Sequence, residues 1–80
     1  MHLLARFDTP NYPAWKAEFD AHTETRSQAG LTLLQLWRDV DTPSATIALF
    51  EVNDRAKAQA WLDRETGFGQ AVTADCLKTA

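Results

Sequence analysis

One imidazole in this chain stands where it could move a proton. Tyr12, Trp15, Phe19 and His22 recur at helical spacing, so a helix over about residues 12–27 would carry them on one face. A histidine titrates near neutrality and can act as acid or base, which would suit cofactor-free oxidation or isomerisation. The simpler reading is a helix-end histidine satisfied by a backbone carbonyl or water, because no partner acid or base is evident beside it. Tyr12 and Trp15, with Trp61 of a later helix facing them, could wall an aromatic pocket, although rings at this spacing more often form plain core. Arg38 could hold a carboxylate or phenolate there, or reach solvent at a strand end beside Asp39 and Asp41. The candidate ligand-binding residues are therefore Tyr12, Trp15, His22, Arg38 and Trp61, with His22 the candidate catalytic group.

Other chemistries find no footing. His2, His22, Cys76 and the carboxylates show no ligand spacing of the CxxC or HxxxH kind, so no metal is expected. Gly67 and Gly69 follow a helix instead of preceding one, which is the wrong order for cradling a phosphate. No serine or cysteine lies in a nucleophile motif, and no cofactor is implied. Cys76 is most simply a small buried apolar residue of a last strand.

The elements that must position these groups follow from periodicity and turn chemistry. Residues 2–7 form a short apolar run closed by Asp8-Thr9-Pro10-Asn11, a strand and its turn. Pro13 suits the first turn of the helix that follows, and Gly30 ends that segment. Leu31 to Val40 and Ala45 to Val52 make a hairpin around Asp41-Thr42-Pro43-Ser44. Asn53 and Asp54 can cap a second helix containing Ala56, Ala58, Ala60, Trp61 and Leu62. Gly67-Phe68-Gly69 breaks it, and Ala71 to Leu77 supplies a fourth strand. Strand, helix, hairpin, helix, strand is the βαββαβ order of a ferredoxin-like α+β domain spanning residues 1–80. Right-handed crossovers put the first and third strands in the centre of a four-stranded antiparallel sheet, with two helices on one face.

Such a sheet should alternate apolar with polar residues, and these strands do not. Leu3, Ala5 and Phe7 with Leu34, Leu36, Ala48, Phe50 and Val52 can pack under the helices. That leaves Leu4, Leu31, Leu33, Trp37, Ile47 and Leu49 on the other face, a patch of several hundred Å² that monomers rarely leave in water. Covering it would contribute on the order of 10 kcal/mol before association costs, and a two-fold homodimer is the commonest solution. Arg6, Gln35 and Glu51 interrupt this face. Arg6 and Glu51 are expected to form a cross-strand ion pair, or to belong to a polar lumen that binds a small molecule.

The run Tyr12-x-x-Trp15-Lys16-x-x-Phe19-Asp20-x-His22, then Arg26, Gly30-Leu31, Trp37-Arg38-Asp39 and Phe50-Glu51-Val52, resembles small uncharacterised bacterial proteins of the dimeric α+β barrel superfamily. That superfamily includes antibiotic-biosynthesis-type monooxygenases, stress-responsive barrel proteins and muconolactone isomerase-like enzymes. The resemblance implies two sheets packed face to face, with ligands between a sheet and its own helices. The short segment from Gly67 to Ala80 departs from the pattern of relatives that continue the second helix by another turn.

The 80 residues carry a net charge of −3, with lysines and arginines scattered instead of clustered, which argues against a nucleic-acid partner. No apolar run is long enough to cross a membrane. His2, Arg6 and Asp8 interrupt what would be a signal peptide, and a lone cysteine suits a reducing setting, so a cytoplasmic protein is expected. The leading expectation is a homodimer through Leu4, Leu33, Trp37, Ile47 and Leu49 that binds a small apolar or aromatic ligand. The alternatives are a cofactor-independent monooxygenase or isomerase for an aromatic or polyketide-like substrate, and a protein-interaction module.

Overall fold

The computed structural model describes the backbone of residues 1–67 and 72–80 and the side chains of residues 1–64 and 73–80. Phe68, Gly69 and Ala71, read above as part of a helix break and a strand start, lie outside the described residues.

The elements run β1 (His2–Asp8), α1 (Tyr12–Ala21), α2 (Thr23–Gln28), β2 (Leu31–Arg38), β3 (Ala45–Val52), α3 (Arg55–Gly67) and β4 (Val72–Leu77). The sheet has the order β2-β3-β1-β4 with every pairing antiparallel, so the first and third strands are central as the connections require. The helices pack on one face. Leu3, Ala5 and Phe7 of β1, Ala48, Phe50 and Val52 of β3, and Ala58, Trp61 and Leu62 of α3 share one buried cluster with Phe19.

Local signals explain the boundaries. Asn11 accepts the Ala14 N–H at the start of α1, and Asp54 accepts the Lys57 N–H at the start of α3. Gly30 takes φ +74°, which a side chain would resist, and a Cβ there would lie 3.2 Å from the Asp54 nitrogen. The Gly30 carbonyl also accepts the Asn53 N–H at 2.8 Å, tying the end of α2 to the end of β3.

The single helix expected over residues 12–27 is instead two helices broken at His22. The break frees the Phe19 carbonyl from its normal partner, and the Arg26 guanidinium reaches back to donate to it at 2.6 Å. Thr23 supports the same corner by donating its hydroxyl to the Asp20 carbonyl at 2.8 Å.

A second departure lies in β2. Leu31 and Leu33 oppose Val52 and Phe50, whereas Gln35 opposes Leu49 and Trp37 opposes Ile47, with a bulge between Leu33 and Gln35. One extra residue reverses the inward and outward positions along a strand. Leu31, expected on the uncovered face, is therefore in the core at 3% exposure. Leu33 is in register with Phe50 instead of the uncovered set, and Leu34, expected under the helices, is unpaired and exposed at the bulge.

Register also corrects the expected ion pair. Glu51 opposes His2, and Arg6 opposes Ile47, so the two charges are separated along the strands. Arg6 instead pairs with Asp39, its Nη1 3.3 Å from Oδ2. Cys76, expected to be buried, is exposed because β4 is an edge strand. Among the described residues, no helix is long and apolar enough to cross a membrane.

Candidate functional site

The aromatic side chains form a continuous layer between sheet and helices. Trp15 stacks on Phe19 with centroids 4.7 Å apart and meets Phe7 at 5.3 Å. Phe7 lies in turn 6.5 Å from Trp61, which contacts Phe50 at 5.8 Å. Phe7 thus separates Trp15 from Trp61, and the two tryptophans do not form facing walls. Trp61 is 3% exposed and serves as core. Edge-on and offset ring contacts of this kind favour close packing over a void.

The layer opens at its rim. Tyr12 and Trp15 are half-buried, with ring centroids 6.0 Å apart. Arg38 crosses from the end of β2 to place its guanidinium carbon 4.5 Å from the Tyr12 centroid, while Nη2 donates to the Pro43 carbonyl at 3.0 Å. A guanidinium held by an aromatic face and a carbonyl is oriented yet keeps other N–H donors for a ligand. The structure therefore brings Tyr12, Trp15 and Arg38 together at one rim, with Trp61 buried behind it.

His22 stands apart. Its Nδ1–H donates to the Glu18 carbonyl at 2.7 Å, and the Glu18 carboxylate lies 3.9 Å away. The imidazole is on the outer side of the helix corner, exposed, and does not point toward the sheet. The bond to a carbonyl fixes the neutral ring as the Nδ1–H tautomer, leaving Nε2 as the only acceptor.

The other candidate surface is the far side of the sheet. Cross-strand register sets Gln35, Leu49, Leu4 and Asp75 in one row, and Trp37, Ile47, Arg6 and Thr73 in the next. Leu4, Ile47 and Leu49 are half-buried by their neighbours alone, and Trp37 is 45% exposed. No described element covers them. The apolar strip is narrower than the sequence suggested, because the bulge removes Leu31 and Leu33 from it.

Arg26 is the residue that sequence patterning missed. It is 5% exposed, with its guanidinium carbon 3.6 Å from the Phe19 centroid and Nη2 3.3 Å from the Thr23 hydroxyl. A charged residue is ordinarily read as solvated, but the corner between α1 and α2 turns Arg26 back onto Phe19. Asp39 was likewise unassigned. Its Oδ1 accepts the Asp41 and Thr42 N–H groups at 2.9 and 3.1 Å. Those turn donors, Asp41 first, hold its carboxyl below the ordinary carboxylate range, and Arg6 adds to the effect. Among the described residues, no group of three or more His, Cys, Asp or Glu side chains is placed to hold a metal ion.

No protein-family profile matches the chain, nor does any curated protein. Among solved structures it is similar to a Deinococcus radiodurans protein, provisionally named an antibiotic biosynthesis monooxygenase, whose crystal structure was determined at 1.40 Å. The likeness has a TM-score of 0.54 at 12% identity and covers 100% of this chain and 95% of that one. The two chains share a fold. The architecture is the expected ferredoxin-like α+β one, with β1 and β3 central as the right-handed crossovers required.

Proposed function

We propose that the chain acts as a homodimer joined through the uncovered faces of its sheets and binds a small aromatic molecule at the Tyr12–Trp15–Arg38 rim. The observation that carries this reading is Trp37, exposed beside Ile47, Leu49 and Leu4 on a face without helices. Contiguous apolar surface of this kind marks an interaction site, and a two-fold copy is the commonest occupant. Charge placement supports the same partner. Glu51 has no ion-pair partner among the described residues, and it lies in the row on the opposite side of Leu4–Leu49 from Arg6. A two-fold axis along the Leu4–Leu49 row would bring each Arg6 toward the other copy's Glu51, favouring one register.

At the rim, a ligand ring can stack on Tyr12 and Trp15 while an oxyanion accepts from Arg38. Salicylate is a suitable probe, because it carries a ring and a carboxylate. Saturable quenching of tryptophan fluorescence, weakened about tenfold in Arg38→Met, is the expected result. Equal quenching in wild type, Arg38→Met and Tyr12→Ala would remove the rim from consideration. For the assembly, light scattering should give a dimer mass that falls to the monomer in Leu49→Asp.

Cofactor-independent oxygenation or isomerisation of an aromatic or polyketide-like substrate is the second reading, favoured by the provisional name of the Deinococcus protein. His22 would then act through Nε2 from the outer side of the α1–α2 corner. Turnover of an aromatic substrate that persists unchanged in His22→Ala would end that assignment.

A further inference from the structure

Arg38 owes its place at the rim to an acceptor outside its own strand. It is the last residue of β2, and its Nη2 donates at 3.0 Å to the Pro43 carbonyl across the hairpin turn. An arginine stem has many rotamers, so the direction of that carbonyl decides where the guanidinium rests over Tyr12.

The turn takes its shape from Asp39. The Asp39 N–H donates to the Ala45 carbonyl at 3.0 Å, and the Ala45 N–H donates to the Thr42 carbonyl at 2.8 Å. Pro43 has no N–H to contribute. The Asp39 carboxylate gathers the two that precede it, Oδ1 accepting from Asp41 at 2.9 Å and from Thr42 at 3.1 Å. Its Oδ2 accepts from Arg6 at 3.3 Å, which ties the turn to a central strand of the sheet.

We infer that Asp39 is a positioning residue of the aromatic rim, a role that rests on the rim being a binding site. By fixing the turn, it holds the Pro43 carbonyl where that carbonyl aims the Arg38 guanidinium at a ligand's oxyanion. Asp39 needs no contact with the ligand. Its charge alone would act in the opposite sense. A carboxylate near a bound anion repels it, so removing Asp39 would tighten binding if Coulomb energy were all that mattered. Losing the turn instead leaves the guanidinium to be ordered on binding, which weakens affinity by up to about tenfold.

Salicylate titration of the full chain by tryptophan fluorescence, run as a double-mutant cycle, tests this. Asp39→Ala should bind about fivefold more weakly than wild type, and Asp39→Asn, which keeps an Oδ1 acceptor, in between. Arg38→Met and Arg38→Met/Asp39→Ala should bind equally weakly, because Asp39 acts only through Arg38. Without ligand, the Arg38 side-chain proton signals, shifted in wild type by the Tyr12 ring current, should move toward unstructured values in Asp39→Ala. Unchanged or tighter binding in Asp39→Ala, a further loss in the double variant, or an Arg38 shift retained in Asp39→Ala would each overturn the role of Asp39. A wild-type chain that takes up no salicylate, while Asp39→Ala still loses the Arg38 shift, would overturn the rim as a binding site and support the link from Asp39 to Arg38.

Discussion

The two faces of this sheet carry similar side chains and meet different fates. Under the helices, Leu3, Ala48 and Phe50 are fully buried, and the rings of Phe7, Phe19 and Trp61 close over them. On the other side, Leu49 and Ile47 stand at alternate positions of the same strand, half-buried, with nearly half of Trp37 in water. The comparison separates apolar residues that fold the chain from apolar residues that the folded chain presents. A substitution on the first face should be felt as stability, and one on the second as association.

The largest expected effect therefore belongs to the covered face. Phe50→Ala removes a fully buried ring and should cost roughly 3–5 kcal/mol in urea unfolding, enough to unfold much of a domain this small. Far-UV circular dichroism of Leu49→Asp should by contrast remain native. If the two substitutions destabilised the chain equally, the distinction between the faces would fail.

Arg26→Met sharpens the comparison from within the covered side. It strips the Phe19 carbonyl of its guanidinium donor and should cost about 1–3 kcal/mol. Arg26→Lys should recover only part of this, since an ammonium cannot both stack on Phe19 and donate in the same plane. Gly30→Ala is expected to cost roughly 1–2 kcal/mol because of its positive φ.

The smallest effect is electrostatic and lies at the edge of the uncovered face. The carboxyl of Asp39 has a folded-state pKa below its unfolded value, so its contribution is present above the unfolded pKa and is lost as pH falls through the folded one. Urea midpoints of wild type and Asp39→Asn should differ near neutrality and converge in strong acid. A constant gap across that range would mean that the turn hydrogen bonds do not depend on the charge.

Much of the architecture was legible because it rests on local chemistry. Gly30, Asp54 and the Asp41–Ser44 turn mark element ends by conformational need, and the connection lengths leave few ways to order the strands. What escaped was set by single-residue events. Parity along β2 assumes an unbroken ladder, so the bulge after Leu33 exchanged the places of Leu31 and Leu34. The helix face through Tyr12, Trp15 and Phe19 was extrapolated one turn too far, past a corner where His22 turns outward. Arg26 escaped because its burial depends on that same corner, which no periodicity reveals. The candidate site was legible in part: Tyr12, Trp15 and Arg38 do converge, whereas Trp61 belongs to the core and His22 to the surface.

Sedimentation equilibrium of the wild-type chain and Leu49→Asp at micromolar concentrations bears most directly on the uncovered face as a self-association surface. The account predicts a dimer for the first and a folded monomer for the second. A wild-type chain that stays monomeric throughout, with Trp37 as solvent-accessible to a fluorescence quencher as in Leu49→Asp, would contradict it.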